Sequence, residues 1–411
     1  MRALQSVALG ALLLSALPAN TLAQDTIDWS RRPVLLMTMG QGEEVFEKFG
    51  HNAIVVWDDA AGQPLVYNWG MFDFEQPNFI GRFLTGDTRY WMEPHSIGTT
   101  LQQYAQQNRT VVVQELALTR SQKAQLVRQL AVNAREENKW YRYDYYRDNC
   151  STRARDAIDS VTGGALRRAM QSAAGVGSYR WHTRRLLAYS LPLYFGSQLV
   201  LGVDADAPLT EWQQAFLPRS LSRSLSRITL PAAEGLPART LASAPDTLVF
   251  PRRAAEPESV MVRIAPAALA GVVLGLLLLG LTVLGRVGAA VAIGTWSLVS
   301  VLMGTVLLLA WFATQHVFMA RNPSVALLNP AWLAGLAAAV MALRGGVTRA
   351  IRITLLTLLV IAVAGTVGAL LTGHGGSALE LAALVLPAHA ATVFAADRYK
   401  RHDGVRPAVA R

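Results

Sequence analysis

The last third of this chain leaves the fewest ways to fold. Residues 264–284, 287–312, 325–343, 353–371 and 378–396 are five apolar stretches, each close to the ~20 residues a helix needs to cross a bilayer's hydrocarbon layer. Lipid offers no partner to backbone N–H and C=O groups, so such stretches fold as helices that satisfy themselves. Gly and Ala recur inside them, which suits close helix packing. The expectation is an all-α bundle of five transmembrane helices. The connections orient it. Arg286 follows the first stretch, Arg344, Arg349 and Arg352 lie between the third and fourth, and Arg398, Lys400, Arg401 and Arg406 follow the fifth. The opposite connections carry Arg321 and, near His374, no basic residue. Excess positive charge marks the cytoplasmic side. The chain before residue 264 is therefore expected outside the cytoplasmic membrane, with residues 397–411 as a basic cytoplasmic tail.

The formal net charge is +10, carried almost wholly by Arg. A basic balance fits nucleic acid or an anionic membrane surface. No nucleic-acid motif is present, and apolar spans share the chain, so membrane lipid is the expected partner and nucleic acid is not. The N-terminus agrees. Residues 1–23 combine Arg2, an apolar core over residues 7–17 and a small Ala23 before Gln24, the pattern of a secretory signal peptide; a retained anchor is the other reading. No cysteine follows the cleavage position, so the protein is not itself a lipoprotein. Residues 24–252 then form an outer globular domain, and 253–263 a linker.

Within the outer domain, residues 33–39 predict a buried strand. Residues 51–57 and 64–69 predict the arms of a hairpin around the turn DDAAGQ. VVVQEL adds a strand and residues 121–138 an amphipathic helix. Gly40 and Gly42 superficially suggest a dinucleotide loop, but Val45 stands where its third glycine belongs. Asp204 and Asp206 have no His or Cys at metal-ligand spacing, so neither cofactor nor metal is expected. Residues 179–195 mix Arg180, Arg184 and Arg185 with Trp181, Tyr189, Tyr194 and Phe195. Leu217, Leu221 and Leu225 run beside Arg219, Arg223 and Arg227. Both segments suit a membrane-facing surface or, equally, a solvated face of an ordinary packed helix.

Cys150 is the only cysteine in 411 residues. Tyr141, Tyr143, Tyr145 and Tyr146 precede it, spaced like a half-buried strand. Asp148 and Asn149 offer N-cap chemistry, and Ala154, Ile158 and Val161 line one side of the helix that follows. The thiol thus sits at a helix start, where backbone N–H groups and the dipole favour a thiolate. It is either a nucleophile or a small packed side chain. A nucleophile needs a base and a group that orients the base. His51 opens a strand, and Asn68 on the returning hairpin arm lies roughly across from it. Tyr67 and Asp73 stand behind Asn68 as alternatives. Backbone N–H groups at the helix start would hold an oxyanion. The order His, polar residue, Cys is the reverse of papain's. Farther on, His316, Asn322 and Asn329 lie beside Trp311 and Trp332 at the outer end of the second and third spans. They position a lipid head group or form a water-satisfied interfacial loop. His389, inside the fifth span, is expected to be a packed, neutral imidazole. His95 and His182 are expected to be surface or structural.

GHNAIVVWDD, VYNWGMFDF and YDYYRDNCSTRARD resemble the periplasmic domain of the Lnb-type lipoprotein N-acyltransferases, and the similarity continues through SYRWHTRRL and the apolar stretches. The resemblance implies an α+β, circularly permuted papain-like thiol domain ahead of the membrane bundle, in the inner membrane with the thiol domain periplasmic. It places the family's nucleophile on Cys150 and its His on His51. The third member, Asn68, rests on the hairpin argument alone. The implied activity moves a fatty acyl chain from a membrane lipid, through a thioester, to the N-terminal amine of a bacterial lipoprotein's cysteine. A cysteine peptidase or amidase of the cell envelope is the alternative enzyme. A membrane-anchored binding module is the alternative without chemistry.

Overall fold

The computed structural model describes residues 27–250, 255–261, 263–373 and 377–401. The signal peptide expected over residues 1–23, much of the linker's start and the end of the basic tail lie outside the described residues. The outer domain is built on an antiparallel sheet of seven strands: β1 (Leu35–Met39), β2 (His51–Asp58), β3 (Gln63–Met71), β4 (Arg89–Ser96), β5 (Val111–Glu115), β6 (Trp140–Arg142) and, after a two-stranded ribbon of β7 (Thr229–Leu230) and β8 (Arg239–Thr240), β9 (Asp246–Val249). Their order across the sheet is β6-β4-β3-β2-β1-β5-β9. β1 and β2 are apolar at successive positions because both of their faces are covered. Leu36, Ile54, Val56, Tyr67 and Trp69 face the helix that begins at Cys150. Leu35, Met37, Val55 and Val66 face Ile97 and Leu101 on the other side. Slipping the β2–β3 pairing by one residue would exchange these two sets, so burial fixes the register. Ala53 lies opposite Asn68 as a result.

Helices cover the sheet: α1 (Phe79–Thr85), α2 (Ile97–Gln106), α3 (Arg120–Asn133), α4 (Cys150–Val161), α5 (Ala165–Met170), α6 (Tyr179–Leu187), α7 (Leu191–Val200), α8 (Glu211–Gln214) and α9 (Pro218–Leu225). Two expectations need correcting. The tyrosine run is strand only over Trp140–Arg142. Beyond it the chain turns, because Asp144 accepts from the backbone N–H groups of Tyr146 and Arg147, an Asx turn that competes with the ladder. The helix expected over 121–138 ends at Asn133, where Asn138 and Asn133 bond back onto neighbouring carbonyls.

Four stretches of the C-terminal region are long and apolar enough to cross a membrane: Ile264–Phe312, Ser324–Arg344, Arg349–Leu371 and Ala378–Arg398. The first, of 49 residues, would measure ~73 Å if straight. It breaks at Gly285, whose φ of 77° favours glycine, into α10 (Ile264–Leu281) and α11 (Gly285–Phe312). The second also breaks, into α12 (Ser324–Leu327) and α13 (Leu333–Arg344), because Pro330 disfavours a helical Asn329 and Asn329 instead caps a new turn. α14 (Arg349–Leu371) and α15 (Ala378–Arg398) complete the region. Along α10, Gly271 lies against Ala383, Gly275 against Pro387 and Thr282 against Tyr399. Along α11, Trp296 returns to His389. α11 therefore runs against α10 and α15.

The two ends of this bundle differ. At one, Val347 and Arg401 exchange backbone bonds with Tyr399 and Val347, and Arg352 pairs with Asp397, so the Arg- and Lys-bearing connections converge. The other end is clamped to the outer domain. Phe318, 1% exposed, enters an aromatic cluster with Tyr146, Tyr179 and Phe216. Glu380, also 1% exposed, accepts from Arg184 at 2.8 Å, from Tyr194 at 2.8 Å and from the backbone of Arg263 at 2.6 Å. Arg180 pairs with Asp206, and Arg185 with Glu256. The arginines of residues 179–195 are thus neither lipid-facing nor solvated. All three are buried in ion pairs: Arg180 within the outer domain, Arg184 to the helical region and Arg185 to the linker.

Candidate active site

The site begins with a helix cap. The Asn149 Oδ1 accepts the backbone N–H groups of Ser151 and Thr152, each at 2.9 Å, while Thr152 accepts that of Asn149. Such a cap stabilises a helix start by roughly 1 kcal/mol. The Asn149 amide also donates to the carbonyls of Tyr145 and Phe216, which fixes the first turn of α4 in place. The Ser151 hydroxyl lies 3.0 Å from Asn52 Oδ1 and 2.7 Å from the Ala215 carbonyl. This ties α4 to the beginning of β2, one residue from His51.

Cys150 is consequently buried against β2 and β3. The backbone N–H groups of Asn52, Ser151 and Cys150 itself favour the thiolate, and the Arg109 guanidinium adds a favourable charge. Burial outweighs them and holds the thiol above its ordinary pKa. The helix start alone had suggested a thiolate. The resting group is a thiol, poised with N–H groups around it. Gly70 supplies the close approach. A Cβ built there would lie 3.8 Å from Cys150 Cβ, 3.5 Å from the Tyr143 ring and 3.8 Å from the Tyr141 hydroxyl, and its φ is 87°.

His51 and Asn68 meet as the hairpin reading expected, with Nε2 3.1 Å from Asn68 Oδ1. The Asn68 amide donates to the Val66 carbonyl at 2.9 Å, so its oxygen is the atom turned to His51. Nε2 then carries the proton, and Nδ1 is left with a lone pair. Burial first, then the Arg109 charge, lowers the His51 pKa to about 4, against the bond to Asn68. The imidazole is neutral at pH 7. Of the two alternatives to Asn68, Tyr67 packs in the core layer of Cys150 with Asp58 acting on its hydroxyl, and Asp73 accepts the backbone N–H of Glu75.

The outer-loop residues divide. His316 Nε2 donates to the Phe83 carbonyl at 2.8 Å, and its ring lies 6.2 Å from that of Tyr145. Asn322 is buried and bonded to Leu199 and Ser324. Asn329 caps the turn before α13. Both asparagines are occupied by protein groups. His389 is packed as expected: Nδ1 accepts from Trp296 at 2.9 Å, Nε2 donates to Leu327 at 2.8 Å, and the ring stacks on Trp332. His182 is structural as well, bonded to Val176 and Arg185.

The sequence reading gives no site role to Asn52, Arg109 or Gly70, and takes Tyr141 only as part of a strand. A glycine inside a strand pattern signals close backbone approach, so VYNWGM held the clue to Gly70. Nothing local marks Arg109. It reaches the site from the loop just before β5, bonded to the Gly40 carbonyl and Glu47. The Tyr141 hydroxyl is buried with no hydrogen-bond partner among the described residues.

Residues 20–189 match the family model described as the Lnb N-terminal periplasmic domain. No curated protein and no solved structure matches the chain. The chain therefore carries an Lnb N-terminal periplasmic domain over residues 20–189, the part of the chain that holds His51, Asn68 and Cys150.

Proposed function

We propose that this protein is a membrane-bound, thiol-dependent acyltransferase that moves a fatty acyl chain from a membrane lipid to the N-terminal amine of a lipoprotein cysteine. The observation that carries the reading is the neutral His51, held by Asn68 through Nε2 and open at Nδ1, at the strand start whose next residue, Asn52, bonds Ser151 beside Cys150. In the first half-reaction Nδ1 takes the thiol proton as sulfur attacks the lipid ester carbonyl. The N–H groups of Asn52 and Cys150 bond the developing oxyanion. His51 returns the proton to the leaving alcohol, and a thioester remains. In the second half the lipoprotein amine attacks the thioester, His51 takes the amine proton, and the thiolate leaves and is reprotonated. An amide and free Cys150 result. A buried site favours the amine over water.

Donor and acceptor are both held in the bilayer, which gives the apolar helices a purpose beyond anchoring. In this reading the break at Gly285 makes five crossings of the four apolar stretches. The convergent basic connections then face the cytoplasm, and the thiol domain faces the periplasm. His316 is the outer-loop residue best placed to meet a lipid head group.

The test is direct. Protein in phospholipid vesicles should acquire an acyl mass on the Cys150 peptide that hydroxylamine removes. A diacylated lipopeptide with a free cysteinyl amine should then take up that chain as a hydroxylamine-resistant amide. Release only as free fatty acid would make the protein a hydrolase. Cleavage of a peptide or wall amide, with no acyl-enzyme, would favour an envelope amidase.

A further inference from the structure

One surface of the outer domain has the composition of a core and no cover. Phe46, Phe74, Ile80, Phe83 and Leu84 are 53, 66, 72, 49 and 63% exposed, and α1, which carries three of them, buries none of its own residues. Where this patch lies is decided by the membrane region. The Thr85 carbonyl accepts the backbone N–H of Gln315 at 2.8 Å, the Phe83 carbonyl accepts His316 Nε2 at 2.8 Å, and Arg142 bonds the Gln315 side chain. A Cβ built on Gly86 would lie 3.0 Å from the His316 nitrogen. These partners follow the end of α11 at Phe312 by three and four residues. Leu309 and Phe312, at that end, are themselves exposed. The uncovered patch is therefore continuous with the lipid-facing surface of a candidate span, at the level where that span leaves the bilayer.

The patch also leads inward. Ring centroids run from Phe83 to Phe79 at 6.2 Å, to Phe72 at 6.0 Å, to Tyr90 at 5.0 Å and to Tyr143 at 4.5 Å. Tyr143 then shares the Gly70 position with Cys150. An unbroken row of rings thus joins the exposed helix to the buried thiol. Rings of this kind give an apolar chain a surface to lie along without hydrogen-bonding demands.

We propose that Phe74–Leu84 inserts into the outer leaflet of the membrane that the apolar helices cross, and that the aromatic row guides the acyl chain of a glycerophospholipid to Cys150. The insertion stands independently of the chemistry; the guiding role rests on the acyl-transfer reading. The insertion is tested on full-length protein in nanodiscs, with Ile80→Cys in a Cys150→Ser background carrying an environment-sensitive fluorophore. The control is the same label at Ala60→Cys, in the exposed β2–β3 turn, ~25 Å along the strand from His51. Lipids bearing a shallow nitroxide should quench the label at position 80 several-fold more than at position 60, and iodide should show the reverse. Equal iodide quenching at both positions would overturn the insertion. So would protection from both quenchers at position 80, which would indicate a second copy or another protein on the patch. For the guiding role, Ile80→Glu/Leu84→Glu should lower Cys150 acylation from phospholipid vesicles about tenfold. Acylation by a water-soluble short-chain ester should be unchanged. An equal loss with both donors would show damage to the thiol site and contradict the role. If wild type accepts the soluble ester but no phospholipid, the acyl-donor reading fails while the depth measurement still stands.

Discussion

His51 and His389 are imidazoles held in place by neighbours in two halves of one molecule, and they differ in a single respect. His389 spends both nitrogens, accepting from Trp296 and donating to Leu327, and lies flat on Trp332. His51 spends one, on Asn68. The same contrast separates the polar groups around them. Glu380 is saturated by Arg184, Tyr194 and the Arg263 backbone, whereas the Tyr141 hydroxyl near Cys150 has no partner among the described residues. A buried polar group fully bonded to protein is a structural joint. One left open costs stability unless something else meets it, and in the proposed function that something, at the thiol, is substrate.

Substitutions test this division, and the largest effect belongs to the open imidazole. His51→Ala should slow Cys150 acylation by ~10³-fold, the scale of a lost general base, with little change in melting temperature. His389→Ala should do the opposite, lowering thermal stability while surviving folded protein keeps its acylation rate. Glu380→Ala should destabilise by about 3–5 kcal/mol, since it removes the buried carboxylate that Arg184, Tyr194 and the Arg263 backbone share, measurable as a lowered melting temperature in detergent. Asn68→Ala should slow acylation by about 10- to 100-fold, because the ring keeps its lone pair but loses the bond that sets its tautomer. Tyr141→Phe should cost about tenfold in acylation if its hydroxyl meets the substrate oxyanion, and should leave or raise stability. A Tyr141→Phe protein that is less stable and equally fast would place that hydroxyl among the joints.

Acid sharpens the comparison on a smaller scale. The folded pKa values of His51 and His182 are lowered to about 4 and about 3, below the ~6.5 of an unfolded histidine. Above pH 6.5 neither state binds these protons and stability is unaffected. As pH falls from 6.5 toward 4, the unfolded chain takes them up and the folded chain does not, so stability drops. Thermal melts across that window should show the decline, and a flat profile would contradict the burial of these rings.

The sequence exposed the parts of this site that obey local rules. Cys150 announced itself through a cap and a helix, His51 through a strand start, and Asn68 through hairpin pairing that the β2–β3 register reproduces. The parts set by long-range packing were not legible. Burial reversed the expected direction of the thiol's pKa, a quantity that no neighbour in sequence reports. Arg180, Arg184 and Arg185 looked like surface charges until Asp206, Glu380 and Glu256 came to meet them. A carboxylate inside an apolar stretch, Glu380, was the one readable sign of that joint.

The central claim is that a neutral imidazole, open at Nδ1, drives a buried thiol. Its most direct test is the rate of Cys150 acylation by a soluble ester, measured from pH 3.5 to 9 in wild type and in His51→Ala. Wild type should be flat from about pH 5 to 8 and fall tenfold per unit below about pH 4, where His51 takes a proton. His51→Ala should be slower by ~10³ at pH 7 and climb with pH as thiolate forms unaided. A wild-type inflection near pH 6.5, or a His51→Ala profile that overlays the wild type, would contradict the account.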